Sequence, residues 1–282
     1  MNKICEVLKD KEHPHNANWD VVLIQEAWTV GSRKILKDCG YPHVLDIGSG
    51  LWRAGWGVRH RRGGIRPRPG RHGLELNLES GLLVLSRFPI KKSLRYEFKN
   101  EGRLFRVFSD GEKVAAKSVY LAQLELPEGK KIWIANTHLV ANYCDNSEDT
   151  DCESYEIVRT AQMREMRKVF DEWVGDDPLI FGGDLNAGEH PNAKDLSWVT
   201  LPELFPGFEQ APHDELLVST SSPTNFFKKG HKEGGKLDHI FASPHFEISE
   251  GKLAFEQKFV SKEGENLNYS DHYGWESTLL LK

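Results

Sequence analysis

The chain has 282 residues, of which 39% are hydrophobic, and its net charge is −5. This size and apolar content allow a large core, so we expect one domain over residues 1–282. The acidic balance argues against a dedicated nucleic-acid binder. No apolar stretch approaches the ~20 residues that a membrane-spanning helix needs.

The N-terminal part predicts two helices, at residues 3–10 and 31–39, on either side of a strand at 21–25. The strand is indicated by the apolar run Val21–Ile24, which is typical of a buried strand. Because Met1 leads directly into the first helical pattern, we expect no signal peptide.

Residues 49–79 are rich in Gly, Arg and Pro, and the segment is too long for an ordinary connection. Seven arginines and no acidic residue lie between Ser49 and Leu74, together with Trp52 and Trp56. We expect an Arg/Gly-rich insertion loop. It either binds a partner or is a solvated connection.

From residue 81 the pattern predicts strands at 81–85, 96–98, 118–126 and 131–135, with a hairpin turn at 127–130 between the last two. These strands and turns alternate without an internal repeat. They therefore indicate sheets built mainly from hairpins.

Residues 155–174 predict the clearest helix, followed by strands at 179–184, 237–242 and 275–281. The helix has an apolar stripe that we expect to face the core. It consists of Ile157, Met163, Met166, Val169, Phe170 and Trp173. The mixture of helices and strands predicts a four-layer α/β sandwich, with two packed sheets between outer helices.

Polar residues lie at or beside the ends of several predicted strands, or near the C-terminus. They are Gln25 and Glu26, Asn136 and His138, Asp184 and Asn186, Asp238 and His239, and Asp271 and His272. Each pair alone is typical of a solvated strand end or a turn. Because buried strands deliver such residues to one rim, the five pairs together predict a shared site.

In this order the five pairs resemble the endonuclease/exonuclease/phosphatase superfamily of metal-dependent phosphoesterases, over nearly the whole chain. Within it, the neutral and bacterial sphingomyelinases, which release phosphocholine from sphingomyelin, look most similar. The segments that carry this second likeness are 80–90, 115–120, and Arg159 with Gln162. The resemblance implies two mostly antiparallel sheets, as in deoxyribonucleases and sphingomyelinases.

The resemblance further implies that Glu26 binds a divalent cation. Asp271 is expected either to bind the same cation or to contact one of its ligands. Mg²⁺ is the expected ion, with Mn²⁺ or Ca²⁺ as alternatives, because carboxylates suit oxygen-preferring cations. His272 is the expected general base, with Asp238 orienting its ring.

Asp184 is expected to position the attacking water, while Asn186 and His138 donate to phosphoryl oxygens. In an extended chain Asp184 and Asn186 would point the same way, and His138 would share a face with Asn136, for which we expect a structural role. The remaining histidines are expected at the surface or in packing. They are His190, His213, His231 and His239.

The resemblance also implies a first strand that carries a metal-binding Asn. No apolar run precedes Asn2, so we expect that this strand is lacking or replaced.

Cys144 and Cys152 bracket an acidic loop. A disulfide between them would indicate a secreted or periplasmic protein, whereas free thiols would indicate a cytoplasmic one, and both remain open. A calcium site in the loop is a third reading, although the loop lacks the spacing of a helix-loop-helix calcium motif.

Three functions remain open. The first is a Mg²⁺-dependent phosphodiesterase that hydrolyses a phospholipid head group, with Trp52, Trp56 and the arginines touching the membrane. The second is a nuclease of the same superfamily, or a phosphoinositide phosphatase, with arginines binding phosphates. The third is a catalytically impaired scaffold that docks a partner through the Arg-rich loop. We expect a monomer.

Overall fold

The computed structural model describes residues 1–47, 80–100, 117–142, 152–188, 195–212, 219–229 and 234–282. The insertion at 49–79, with Trp52 and Trp56, lies outside the described residues, and so do Cys144 and the side chain of Cys152. The same holds for His190, His213 and His231. The expectations for these residues stay predictions, as do the single domain and the monomer.

A three-stranded antiparallel sheet and two helices form one half of the fold. Helices α1 (Asn2–Lys9) and α2 (Val30–Lys37) flank strand β1 (Val21–Ile24) in sequence, as predicted. The sheet contains β1, then β3 (Leu83–Ser86), then β2 (His43–Leu45). Because side chains alternate along a strand, one face packs on the helices and the other packs on the second sheet.

A six-stranded sheet forms the other half. Its strands are β4 (Ile90–Glu97), β5 (Ser118–Glu125), β6 (Lys131–His138), β7 (Leu179–Asp184), β8 (Glu209–Gln210) and β9 (Asp238–Ala242). They lie in the order β4-β5-β6-β7-β9-β8, and β6 and β7 are the one parallel pair among them.

Two further helices cover the outer face of this sheet, namely α3 (Cys152–Trp173) and α4 (Leu196–Leu204). Met163 and Phe170 of α3 and Leu201 of α4 belong to this outer core. The inner face packs on the first sheet through a second core that includes Tyr120 and Ile134. The layers are therefore helices, sheet, sheet and helices, which confirms the predicted fold class.

The stripe predicted on α3 is buried in its middle part and partly buried at Trp173. Ile157 is 53% exposed, so its assignment to the core was wrong. The buried positions at this end are Tyr155 and Arg159. Because two residues turn a helix by about 200°, Ile157 between them points away from the core.

Within the described parts of the chain, no helix has the length and apolarity to cross a bilayer.

The C-terminal strand predicted at 275–281 is divided in two, β14 (Gly274–Glu276) and β15 (Leu279–Leu281). Between them, Ser277 Oγ donates to Ser249 O at 2.7 Å, and Ser249 Oγ accepts from Thr278 N at 3.0 Å. These side-chain bonds interrupt the ladder. The pairs are β15 with β10 (Phe246–Ile248), β14 with β11 (Lys252–Ala254), and β12 (Lys258–Val260) with β13 (Asn266–Asn268).

Cys5 and Cys39 form a disulfide that joins α1 to the chain just after α2. Their Cα atoms lie 4.9 Å apart although 34 positions separate them in sequence. The pair could not be predicted from a short spacing in the sequence, because only the packing of the two helices brings the cysteines together.

The side chain of Asn136 joins the two sheets. Its Nδ2 donates to Ile24 O at 2.9 Å and to Leu83 O at 2.8 Å, and its Oδ1 accepts from Gln25 Nε2 at 2.7 Å. These bonds hold the end of β1, and with it Glu26, against the end of β6. They agree with the structural role expected for Asn136.

We predict that Asn136→Ala lowers the free energy of unfolding by about 2–4 kcal/mol, because the carbonyl oxygens of Ile24 and Leu83 lose a buried donor. Urea unfolding measures the change. Asn266→Ala, at an exposed position, is the matched control and should stay within about 0.5 kcal/mol. An equal effect of both variants would contradict the coupling of the sheets through Asn136.

Replacing Cys5 and Cys39 together by Ala should destabilise the protein by about 3–4 kcal/mol, because the disulfide closes a loop with a sequence separation of 34. The measurement is the denaturation midpoint with and without dithiothreitol. Reductant should shift the midpoint of the parent protein much more than that of the double variant. A parent midpoint that ignores the reductant would contradict the prediction.

Candidate active site

Three neighbouring strands place a histidine and two aspartates side by side. His138 ends β6, Asp184 ends β7 and Asp238 begins β9, and the ladder pairs His138 with Asp184 and Asp184 with Asp238. Because paired residues on neighbouring strands are about 5 Å apart, the register alone gathers these three. Glu26 follows β1 of the other sheet, and His272 precedes β14.

The ionisable groups form a continuous series of short distances. His138 Nε2 lies 3.9 Å from Glu26 Oε1 and 3.6 Å from Asp184 Oδ2. Asp184 Oδ2 lies 3.9 Å from His272 Nδ1, which lies 2.9 Å from Asp238 Oδ2. The structure therefore brings these five predicted residues into one site.

Asp238 holds the ring of His272 through the contact to Nδ1, so Nε2 is the ring nitrogen left for a water or a substrate. Burial by itself would lower the pKa of His272. The charge and hydrogen bond of Asp238, with the charges of Asp184 and Asp271, outweigh burial and raise the pKa to about 10. In this arrangement the imidazolium form dominates at neutral pH.

Asp184 is buried among like and opposite charges. Burial and the charge of Asp238 raise its pKa to about 7, against the pull of His272, of the Asn186 backbone N–H and of Lys117. Asp184 Oδ1 accepts from Asn186 N at 2.9 Å. The protonated form of this carboxyl group is therefore favoured more than in a free aspartate.

Asn186 reaches the rim by a turn. Its φ of 48° lies in the left-handed region, so the prediction that Asp184 and Asn186 share an extended chain was wrong. Asn tolerates this conformation better than most residues. The side-chain Nδ2 donates to Leu139 O at 3.0 Å, which folds Asn186 back beside the end of β6.

Gly183 allows β6 and β7 to approach closely just before Asp184. Its φ is 127°, and a Cβ at this position would lie 2.1 Å from Thr137 O. A larger residue would push the two strand ends apart, because backbone cannot give way. The glycine in the Gly183–Asp184 pair thus serves the geometry of the rim.

Lys117 is a buried cation that the motifs did not single out. Its Nζ lies 2.9 Å from His138 Nε2 and donates to Leu139 O at 3.0 Å. An ammonium group has only donors, so Nε2 of His138 accepts and the ring hydrogen lies on Nδ1. Burial and the charges of Lys117 and His272 lower the pKa of His138 well below its usual value, which keeps the ring neutral.

A signal for Lys117 is present in the sequence. It is the one charged residue in the run 114–122, which is otherwise apolar or small and continues into β5. A lysine buried beside a histidine and two carboxylates is a typical marker of a functional site.

The carboxylates fit a divalent cation. Glu26, His138 and Asp184 bring donor atoms within 4.8 Å of one another, and so do Asp184, Asp238 and His272. His138 Nε2 already contacts Lys117 and His272 Nδ1 already contacts Asp238, so the carboxylate oxygens are the atoms best suited to bind Mg²⁺.

Glu26 is the accessible carboxylate of the cluster, with 51% of its side chain exposed. Although half of the side chain is exposed, the carboxyl group is partly withdrawn from water, and this burial and the charge of Asp271 raise its pKa against the opposing charges of Lys117, His272 and Lys228. A cation at Glu26 would relieve this excess of negative charge.

Asp271 lies beside the cluster, but it is not among the residues whose potential metal-binding atoms lie within 4.8 Å of one another. Its Oδ2 pairs with Lys228 Nζ at 3.2 Å. Burial would raise the pKa of Asp271, but the charges of His272 and Lys228 lower it. Its predicted role at the cation stays a prediction.

His239 is a packing residue, as expected. It stacks on Trp198 with ring centroids 4.6 Å apart, and its ring nitrogens contact Gln210 Nε2 and Ala187 O, each at 2.8 Å. Burial lowers its pKa to about 4, so the ring is neutral.

The Endonuclease/Exonuclease/phosphatase family matches residues 1–272, and the chain belongs to this family. The predicted resemblance is thereby confirmed. A crystal structure of beta toxin from Staphylococcus aureus has a TM-score of 0.72 at 18% identity, over 99% of this chain and 93% of the toxin chain. A variant of that toxin with bound magnesium ions has a TM-score of 0.68 at 20% identity, over 96% and 90%.

Two curated relatives extend the likeness to sphingomyelinases. The putative neutral sphingomyelinase of Drosophila melanogaster is 25% identical over an alignment of 284 positions, which covers 96% of this chain and 54% of the relative. The sphingomyelinase C of Leptospira interrogans is 25% identical over 268 residues, 91% of this chain and 44% of the relative. The chain spans about half the length of these relatives.

Asp238→Asn should lower the pKa of His272 below about 10. The charge of Asp238 is the largest effect that raises this pKa against the effect of burial, and the substitution removes it. The measurement is an NMR titration of the ring in protein treated with EDTA. Asp176→Asn, at an exposed and distant position, is the control and should leave the titration unchanged. An unaltered His272 pKa in Asp238→Asn would show that the 2.9 Å contact does not control the ring.

Proposed function

We propose that the chain is a metal-dependent phosphodiesterase that hydrolyses a phospholipid head group in the manner of a sphingomyelinase. The main support is the His272–Asp238 pair, with Nδ1 and Oδ2 2.9 Å apart, beside Asp184 and Glu26 at one rim. Family membership and the names of the curated relatives agree with this choice.

His272 takes the proton from the attacking water through Nε2, while Asp238 keeps the ring oriented and stabilises the imidazolium that forms. The raised pKa favours that imidazolium product strongly. An imidazolium has no free lone pair, so His272 must lose its own proton before it can take one from the water. Asp184, next to the same ring, orients the water.

Lys117 and Asn186 stabilise charge on the phosphoryl group. Both donate to Leu139 O, so both side-chain nitrogens lie at the same point of the rim. Fixed donors of this kind act strongly in a partly buried site because they need no reorganisation. His138, neutral and accepting from Lys117, positions the ammonium group. We therefore assign to Lys117 the donor role first expected of His138.

Glu26 is the residue that would hold the cation, with Asp271 as the further ligand first expected. When bound there, Mg²⁺ would supply Lewis-acid polarisation of a phosphoryl or leaving-group oxygen, and its positive charge would favour the neutral form of His272.

Sphingomyelin is the first substrate to test, because both curated relatives carry that activity in their names. A nuclease or a phosphoinositide phosphatase is the second candidate, supported by the arginine-rich segment 49–79. Trp52 and Trp56 of that segment are proposed to touch a membrane surface. The disulfide between Cys5 and Cys39 supports an oxidising, secreted or periplasmic location.

The test is hydrolysis of sphingomyelin vesicles, plasmid DNA and a phosphoinositide by the purified chain with Mg²⁺. We expect cleavage of sphingomyelin, abolished by EDTA and by Glu26→Gln. His272→Ala should lower the rate by about 10²–10⁴-fold. His245→Ala, at an exposed histidine, is the matched control and should retain full activity.

Cleavage of DNA alone would contradict the lipid assignment and favour the nuclease. Hydrolysis of the phosphoinositide alone would favour the phosphatase. Equal inactivity on all three substrates, with no response to EDTA, would favour the non-enzymatic scaffold.

Lys117→Met should lower kcat by about 10²–10³-fold with little change in KM, because the lost ammonium group acts on charge that develops in the transition state. Lys92→Met, at an exposed lysine of β4, is the control. Circular dichroism checks that Lys117→Met is folded. A folded Lys117→Met with full kcat would remove Lys117 from the proposed mechanism.

A further inference from the structure

Two buried polar residues of α3, Arg159 and Gln162, have no role in the mechanism proposed so far. Their exposed fractions are 1% and 0%. A buried polar side chain costs folding free energy unless it is hydrogen-bonded. Both residues therefore need partners inside the protein, and both find one in Val140, just after the end of β6.

Gln162 binds the peptide group that joins Leu139 to Val140. Its Oε1 accepts from Val140 N at 3.0 Å, and its Nε2 donates to Asn100 O at 2.8 Å. A trans peptide group is planar, so its N–H and its C=O point in opposite directions. Because Gln162 directs the N–H toward α3, the carbonyl of Leu139 points away from α3.

The carbonyl of Leu139 is the shared acceptor of the two donors that we assign to the phosphoryl group. Lys117 Nζ and Asn186 Nδ2 each donate to it at 3.0 Å. The preceding peptide group is held as well, because Leu139 N donates to Asp184 O at 3.0 Å. The bond from Val140 N to Gln162 therefore sets the direction of the carbonyl that holds both donors.

Arg159 secures the next peptide group in the same way. Its Nη1 donates to Val140 O at 3.3 Å, its Nη2 donates to Asp195 Oδ2 at 3.2 Å, and its Nε donates to Ser197 Oγ at 3.0 Å. Asp195 is the N-cap of α4. The guanidinium group thus joins Val140 to the start of α4.

We propose that Gln162 is a positioning residue, which holds the Leu139–Val140 peptide group so that its carbonyl fixes Lys117 and Asn186. The inference rests on the proposed function, in which these two donors stabilise charge on the phosphoryl group. Fixed donors act strongly because they need no reorganisation during the reaction. A displacement of about 1 Å, caused by a change far from the reacting atoms, can lower a rate by about 100-fold.

Two substitutions of Gln162 isolate its bond to Val140 N. Gln162→Leu removes the acceptor, and Gln162→Met replaces this variant if it does not fold. Gln162→Glu keeps an oxygen that accepts from Val140 N in either protonation state.

Glu165→Gln is the matched control on the same helix. Glu165 is also buried, and its Oε2 accepts from Tyr96 OH at 2.9 Å and from Lys99 N at 2.8 Å. The control therefore changes a buried polar group of α3 without removing the bond to Val140 N.

Gln162→Leu should lower kcat on sphingomyelin vesicles with Mg²⁺ by about 10- to 100-fold with little change in KM, because the donors it misplaces act in the transition state. Gln162→Glu and Glu165→Gln should stay close to the parent value. In a Lys117→Met background, Gln162→Leu should lower kcat by a smaller factor, because one of the two donors is already absent. A merely structural role would give the same loss in both backgrounds.

The second measurement does not depend on activity. His138 Nε2 lies 2.9 Å from Lys117 Nζ and accepts from it, so the ¹⁵N signals of the His138 ring report where the ammonium group lies. In protein treated with EDTA, we expect Gln162→Leu to shift these signals, and Glu165→Gln to leave them unchanged.

Unshifted His138 signals in a folded Gln162→Leu variant would overturn the inference. Full kcat in that variant would do the same, as would an equal loss in both backgrounds or a Gln162→Glu variant as slow as Gln162→Leu. An inactive parent chain whose ring signals still shift in Gln162→Leu would instead contradict the proposed function and support the positioning contact.

Discussion

The register of three strands is the constraint on which the site depends. Hydrogen bonds between β6, β7 and β9 place His138, Asp184 and Asp238 at paired positions. A slip of one residue in either ladder would turn a member of this set to the opposite face. Gly183 is needed for this register, because it has no side chain and so lets β7 lie close to Thr137 O of β6.

The rim concentrates charges that water would otherwise separate. Asp184 and Asp238 are close enough to raise the pKa of Asp184, and the cations nearby, Lys117 and His272, compensate for the excess. The neutral ring of His138 lies between Lys117 and Asp184 and accepts from the ammonium group. Such an arrangement costs folding free energy and is typical of functional sites, where fixed charges meet a charged substrate.

The site is shared between the two halves of the sandwich. Glu26 comes from the small sheet, whereas His138, Asp184 and Asp238 come from the large one. Asn136 fastens the end of β1 to β6 and so sets the position of Glu26 relative to the others.

The sequence determined the fold class, most of the elements and the residues at the rim, because apolar runs ending in polar residues encode both a buried strand and its exposed tip. It did not determine the Cys5–Cys39 disulfide, the turn at Asn186, the exposure of Ile157 or the position of Lys117 beside His138. These features depend on contacts between segments far apart in the chain, or on backbone geometry that several residue types allow. Local patterns record neither, so only the packing of the two sheets and their helices decided them.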